Sequence, residues 1–427
     1  MAFALREYDP SSLAEGRALS AAVQGARERV ARGELPGAWA ALRPFVHAFV
    51  PYALAGPFWE MAAHCAFAGA CSGGPAIDGQ VALTRALHAY QEEHDVPGMA
   101  RTHAALGHVG LARGELDRAA RELGYAQQLS ARSGVWAQRV GSLCRRAEVA
   151  LMRMAPQEAH EWVEQALAAC RDGAVANAVE VQARLVAGQA AALLGRPQEM
   201  ARQLLWAERL ARGAQGTSVE AAGLVGSLGA SLGTAASLGL MRAEALYRLG
   251  YPRRALSCLK QGLLPPLSEQ ILDGRDGPLE GRAHQLRLLG ATLLTDEPRH
   301  ALGVLAAAED AFARLRQPYF RAFCQVAMAQ AGSRASAPEA GGLWERAAAL
   351  PLRRWPLLQR HFDGARANPG GPSVHIRGAV QVPWVVELGQ HRRRRKEAKS
   401  AEERVETGFL GRISDAMGRG RRSNMNN

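Results

Sequence analysis

The chain has 427 residues, more than one ordinary globular core holds, so it either splits into domains or grows by repetition. Aromatic residues make up only 6%, and Ala, Leu, Arg, Glu and Gln dominate, a composition that favours an all-α chain with helices packed closely over alanine. The formal net charge of +12 is almost all arginine, with Lys260, Lys396 and Lys399 the only lysines, and +6 of it falls within residues 374–427.

The N-terminus, MAFALREYDP, carries charges at residues 6, 7 and 9 and no apolar run, so no secretory signal is expected and the cytoplasm is the expected compartment. Cys65, Cys71, Cys144, Cys170, Cys258 and Cys324 form no CxxC pair. Most sit at apolar helical positions, as buried thiols in a reducing compartment do.

A pattern then recurs along the chain: a small residue, a second residue four later (bulky in most copies), and a small or apolar one three after that. It reads Ala38/Leu42/Phe45, Ala82/Ala86/Ala89, Ala119/Leu123/Ala126 and Ala159/Val163/Ala166. It continues as Met200/Leu204/Ala207, Ala255/Leu259/Gly262, Ala301/Leu305/Ala308 and Ala340/Trp344/Ala347. The steps are 44, 37, 40, 41, 55, 46 and 39 residues. The spacing marks one face of a helix. Five residues upstream stands a helix end, often glycine (Gly33, Gly114, Gly195, Gly250), where a left-handed residue is needed. Twelve residues upstream stands another small or apolar residue: Ala26, Gly107, Ala147, Gly188 or Ala243. Each unit therefore reads helix, glycine turn, helix, with small residues letting the two backbones approach.

The clearest unit runs from Leu106 to Gly134, and its Leu106-Gly107, Gly114, Ala119, Leu123, Ala126 resembles the tetratricopeptide signature. Residues 185–211 and 244–262 look like further copies, the latter with a characteristic Tyr-Arg-Leu-Gly-Tyr turn. The period averages about 43 rather than the family's 34, and the usual closing proline is mostly absent. Long-period repeats of this kind are similar to those of large bacterial transcription regulators. The resemblance covers about residues 15–360 and implies an α-solenoid of about eight antiparallel helix pairs, a tetratricopeptide-like superhelix. The expected organisation is a repeat domain over 1–363, a linker over 364–373, and a segment of different character over 374–427.

Residues 213–234 and 262–280 interrupt the pattern as a Gly/Ser/Ala-rich stretch and a Pro-containing loop. Ala221 to Met241 holds 21 uncharged residues, with Gly229 and Gly233 in GxxxG spacing, but its weak hydrophobicity reads as a loop leading into a buried helix rather than a membrane span. Beyond the linker, residues 374–388 are rich in Val and read as two short strands that faintly resemble the opening of a winged-helix module. Residues 393–417 read as a polar helix, and the end as disordered by composition.

Chemistry is sparse. No Gly-Lys pair exists, which excludes a Walker A phosphate loop. Gly229-Ala-Ser231-Leu-Gly233 matches GxSxG without the strand–turn–helix context that motif needs. His103 and His108 are five apart, the wrong spacing for two ligands on one helix face, and His94 lies further off. Neither metal nor cofactor is expected, and no catalytic residues are assigned.

The tetratricopeptide resemblance implies that the first helix of each pair lines a concave face. Its exposed positions would include Arg101, His108, Glu148, Gln189, Glu244, Tyr247 and Arg248, a mixed lining suited to an extended peptide or a helix. The carboxylate clamp of some family members is missing: Ala104 and His108 occupy its positions in the clearest unit. The expected function is a non-catalytic scaffold that holds a protein or peptide in this groove. The alternative is a regulator that contacts nucleic acid through residues 389–427, where Arg392, Arg393, Arg394, Arg395 and Lys396 form a compact cationic run.

Overall fold

In a computed structural model of the chain, each of the recurring triplets lies in the second helix of an antiparallel pair, except that Phe45 of the first falls in the 3-10 turn after that helix. The structure describes residues 10–32, 35–48, 50–67, 77–173, 177–213, 234–262 and 279–369, all within the first of two units into which the chain divides, Met1–Ala379. The pairs are α1 (Pro10–Arg32) with α2 (Leu35–Leu42), α3 (Tyr52–Phe67) with α4 (Gly79–Glu92), and α5 (Val96–Arg113) with α6 (Leu116–Ser133). Next come α7 (Trp136–Met152) with α8 (Pro156–Asp172), and α9 (Asn177–Leu193) with α10 (Pro197–Gly213). Then α11 (Thr234–Arg248) pairs with α12 (Pro252–Gly262), α13 (Leu279–Leu293) with α14 (Pro298–Arg314), and α15 (Pro318–Arg334) with α16 (Ala340–Ala348); α17 (Pro356–Ala367) follows. Helices adjacent in sequence pack on one another throughout. The protein is an all-α solenoid of eight helix pairs, and no strand occurs among the described residues.

The turn inside each pair shows why the sequence folds this way. After α5, Glu115 N–H donates to Gly110 O at 2.8 Å and Gly114 N–H to Leu111 O at 2.9 Å, which closes the helix end on a left-handed residue. The same pair of bonds recurs at Met154/Ala155, Gly195/Arg196 and Gly250/Tyr251. Gly114, Gly195 and Gly250 have φ of 72°, 70° and 80°. Proline starts α8, α10, α12 and α14, where its missing N–H costs nothing and its fixed φ suits a first turn. Asp78 caps α4 by accepting from Gln80 N–H and Val81 N–H.

Within a pair, the small residue on the first helix receives the bulky residue of the second. A Cβ on Gly107 would stand 2.5 Å from Leu123 Cγ, and one on Gly188 2.7 Å from Leu204 Cγ. Gly290 meets Leu305 in the same way at 2.5 Å. Ala119, Leu123 and Ala126 are fully buried, as are Ala159, Val163 and Ala166. Burying one such leucine contributes about 1.5–3 kcal/mol.

The solenoid curls far enough to meet itself. α15 packs on α5, and α17 packs on both α7 and α15. One apolar cluster consequently joins Leu116, Leu123 and Val149 to Phe323, Trp355 and Leu358. The Trp355 indole lies so close to Gly114 that any Cβ there would overlap its ring nitrogen.

Helix α17 runs to Ala367, through the first four residues of the stretch read as a linker. Residues 214–233 and 263–278 of the two interruptions lie outside the described residues, and so do the GxSxG match, the strands expected over 374–388 and the basic tail. Among the described residues no helix is long and apolar enough to cross a membrane.

Candidate functional site

Residues of α5, α7, α9, α11, α13, α15 and α17 line one partly enclosed cavity of about 240 Å³. His108, Glu148, Gln189 and Glu244 each stand one residue after the small residue that packs against the second helix, so a single repeat position is delivered to the cavity four times. Arg248 lines it as well, one turn after Glu244.

The other two residues expected on this face lie elsewhere. Tyr247 is 1% exposed and packs in the core instead of reaching the lining. At three residues past Glu244 it turns toward the neighbouring helices. Arg101, one and a half turns before Gly107, pairs with Glu60 of α3. Its Nε donates to Glu60 Oε1 at 2.9 Å, while Tyr90 OH donates to Glu60 Oε2 at 2.5 Å and Arg101 Nη2 lies 3.2 Å from the Tyr90 oxygen. Burial alone would raise the Glu60 carboxyl; the charge and hydrogen bonds of Arg101, helped by His64 and Tyr90, outweigh it and hold the group below its ordinary range. This buried triad ties α3, α4 and α5 together and is structural.

One wall of the cavity is polar. Arg248 donates through Nε to Glu244 Oε1 at 2.8 Å, and through Nη1 to Gln189 Oε1 at 3.1 Å and Leu185 O at 3.4 Å. Arg287 on α13 reaches the other Glu244 oxygen at 3.4 Å, and its guanidinium carbon lies 5.6 Å from the Phe323 ring centroid. On α7, Arg145 donates to Glu148 Oε2 at 2.7 Å. The lining is otherwise largely apolar, with Leu111, Met152, Phe320 and Leu357 among its residues. His284 also lines the cavity, its ring edge-on to Phe312 and Phe320 at 5.1 and 4.6 Å. Burial pushes the Tyr319 hydroxyl up to about 12, so it is neutral at physiological pH.

The sequence reading missed Arg145, His284, Arg287 and the α15 and α17 contributions. Arg287 lay within reach of pattern analysis: Gly290 opposes Leu305 as Gly107 opposes Leu123, but it stands eleven residues before its triplet rather than twelve. The α17 residues carry no repeat signal.

The remaining sequence candidates are dispersed. His103 pairs with Glu122 at 2.8 Å, and His94 occupies a turn with φ of 54°. No group of three His, Cys, Asp or Glu gathers to hold a metal among the described residues. Cys65, Cys144 and Cys324 are buried and Cys170 and Cys258 half-buried, all as free thiols. Arg392, Arg393, Arg394, Arg395 and Lys396 lie outside the described residues.

Fold and site together define a helical-repeat solenoid with an internally lined cavity. No family model matches the chain, and no curated protein matches it. Among solved structures, a Rap protein complexed with competence and sporulation factor is similar at 11% sequence identity, over 87% of this chain and 99% of that chain, with a TM-score of 0.42.

Proposed function

We propose that this chain is a non-catalytic binding protein whose solenoid holds a peptide segment of a partner in its inner groove, with repeats of the long-period tetratricopeptide type. The observation that carries the reading is the convergence of His108, Glu148, Gln189 and Glu244, one repeat position on four successive first helices, on a single cavity. A stabilising role alone does not call for polar and charged side chains at that position around a hollow; recognition of an extended ligand does. The carboxylates of the lining are engaged by guanidinium groups, an arrangement suited to recognition rather than to proton transfer.

Peptide display on the full-length chain tests the reading. Selected sequences are expected to bind the wild type and to lose at least tenfold in affinity to a Gln189→Trp variant, which fills the groove from α9. Peptides that bind the variant as tightly as the wild type would place recognition elsewhere and overturn the proposal.

A further inference from the structure

In the cavity lining, charged groups pair with one another: Arg145 with Glu148, and Arg248 with Glu244. Helix α9 contributes groups of another kind. It presents Gln182, Leu185, Val186 and Gln189 to the hollow, one stripe at i, i+3, i+4 and i+7. Gln182 is only 7% exposed. Among the described residues its carboxamide has no hydrogen-bond partner, and its polar atoms are not sealed inside the core. For Gln189, Arg248 Nη1 donates to Oε1 at 3.1 Å, which orients the amide and leaves Nε2 as the donor turned to the cavity. A buried carboxamide without a partner is costly, and a ligand that offers a matching donor and acceptor removes that cost.

Extended peptide backbone is such a ligand. A residue in extended conformation presents its own N–H and C=O to the same side, and one carboxamide can accept from the first and donate to the second. Gln189 stands seven residues after Gln182, about 10 Å along the helix, a distance that about three extended residues cover. Leu185 and Val186 between them are apolar, as are Leu151, Met241 and Phe320 of the other lining helices, so the side chains of such a segment meet hydrocarbon. We propose that the cavity holds an internal, uncharged stretch of about three residues of an extended apolar peptide by its main chain. Gln182 clasps the N–H and C=O of one residue, and Gln189 Nε2 donates to a carbonyl further along. The inference rests on the groove reading above and names the ligand class and the side chains that select it.

Calorimetry on the full-length chain compares acetyl-Val-Leu-Val methylamide with the same peptide N-methylated at the central Leu, and with the free acid acetyl-Val-Leu-Val. The blocked peptide is expected to bind, the N-methylated form at least tenfold more weakly, and the acid no more tightly than the blocked form. Gln182→Leu is expected to lose at least tenfold for the blocked peptide and nothing for the N-methylated one, whose methyl group already excludes the Gln182 carboxamide. An equal loss for both peptides would mark a general disturbance of the fold and overturn the proposal. The peptide series on unaltered protein decides it independently of that variant. A blocked peptide with Gln in place of the central Leu that binds more tightly, and keeps its affinity when N-methylated, overturns main-chain recognition in favour of a side-chain amide. A tighter acid overturns the internal segment in favour of a chain terminus. Equal binding of the methylated and unmethylated peptides overturns the proposal while leaving the groove reading standing. No binding by any of these peptides overturns it as well, and the display selection then decides the groove reading separately.

Discussion

At the scale of single residues, the repeat imposes backbone geometry whatever the sequence supplies. The pair-closing position is left-handed in α5/α6, α9/α10 and α11/α12, and glycine occupies it there. In α7/α8 the same position is Met154, with φ of 60° and the same two hydrogen bonds. A side chain in that conformation costs roughly 1 kcal/mol, so Met154→Gly is expected to stabilise the protein by up to about that amount in urea unfolding, less what the half-buried methionine contributes. The opposite holds at Gly107, where a Cβ would press on Leu123 Cγ; Gly107→Ala is expected to destabilise by about 1–3 kcal/mol. Gly303→Ala, on α14 with open space around it, should stabilise by about 0.5–1 kcal/mol. The buried triad has a pH signature. Because Glu60 titrates below 4.5 in the folded chain, its contribution is complete above 4.5 and fades as pH falls through the lowered folded value. Glu60→Gln is expected to cost about 3–5 kcal/mol at neutral pH, with the gap from wild type narrowing in urea titrations below pH 4.5.

Elements were legible wherever two local signals coincided. The triplets and the glycines five residues before them placed the second helices and their turns, because close packing and a left-handed turn each restrict residue type strongly. The signal faded at α13 and α15. There the first-helix glycines, Gly290 and Gly332, stand eleven and eight residues before the triplet, and twelve residues upstream are Leu289 and Met328 instead. Tyr247 was assigned to the exposed face because periodicity places residues around one helix and does not say how many neighbours that helix has. A bulky residue off the lining position is buried once neighbouring helices flank it. Helix α17 shows the same limit, since Trp355 at its N-cap packs on Gly114, more than two hundred residues away in sequence. Two turn glycines make its role measurable. Gly114 and Gly134 have nearly equal φ, 72° and 69°, but only Gly114 faces Trp355. Gly134→Ala is therefore expected to cost about 1–2 kcal/mol from backbone strain alone. Gly114→Ala should cost clearly more, because Trp355 must also move.

On the scale of the whole molecule, the closure of the solenoid is the feature that local sequence could not disclose. It depends on the summed rotation from pair to pair, and a small error in each accumulates over eight. Its consequence is thermodynamic. An open solenoid is stabilised by terms within and between neighbouring repeats, so its ends can unfold independently. Here α15 and α17 pack on α5 and α7, and one apolar cluster spans both regions. The last pair and α17 therefore carry a long-range term that couples them to the third and fourth pairs. Trp355 concentrates that coupling: it is buried against Gly114 and edge-on to Tyr319 at 5.8 Å. Trp355→Ala removes a large side chain from the contact, a loss of about 3–5 kcal/mol, and leaves the residues of every turn inside a pair unchanged. If closure couples the repeats, the variant should unfold in two steps by circular dichroism in urea where the wild type unfolds in one. The last pair and α17 should melt first, and hydrogen exchange should rise in α15 and α17 before it rises in α5. A single transition with uniformly lowered protection would show instead that neighbouring pairs alone carry the cooperativity, and that the contact across the cavity is incidental to stability.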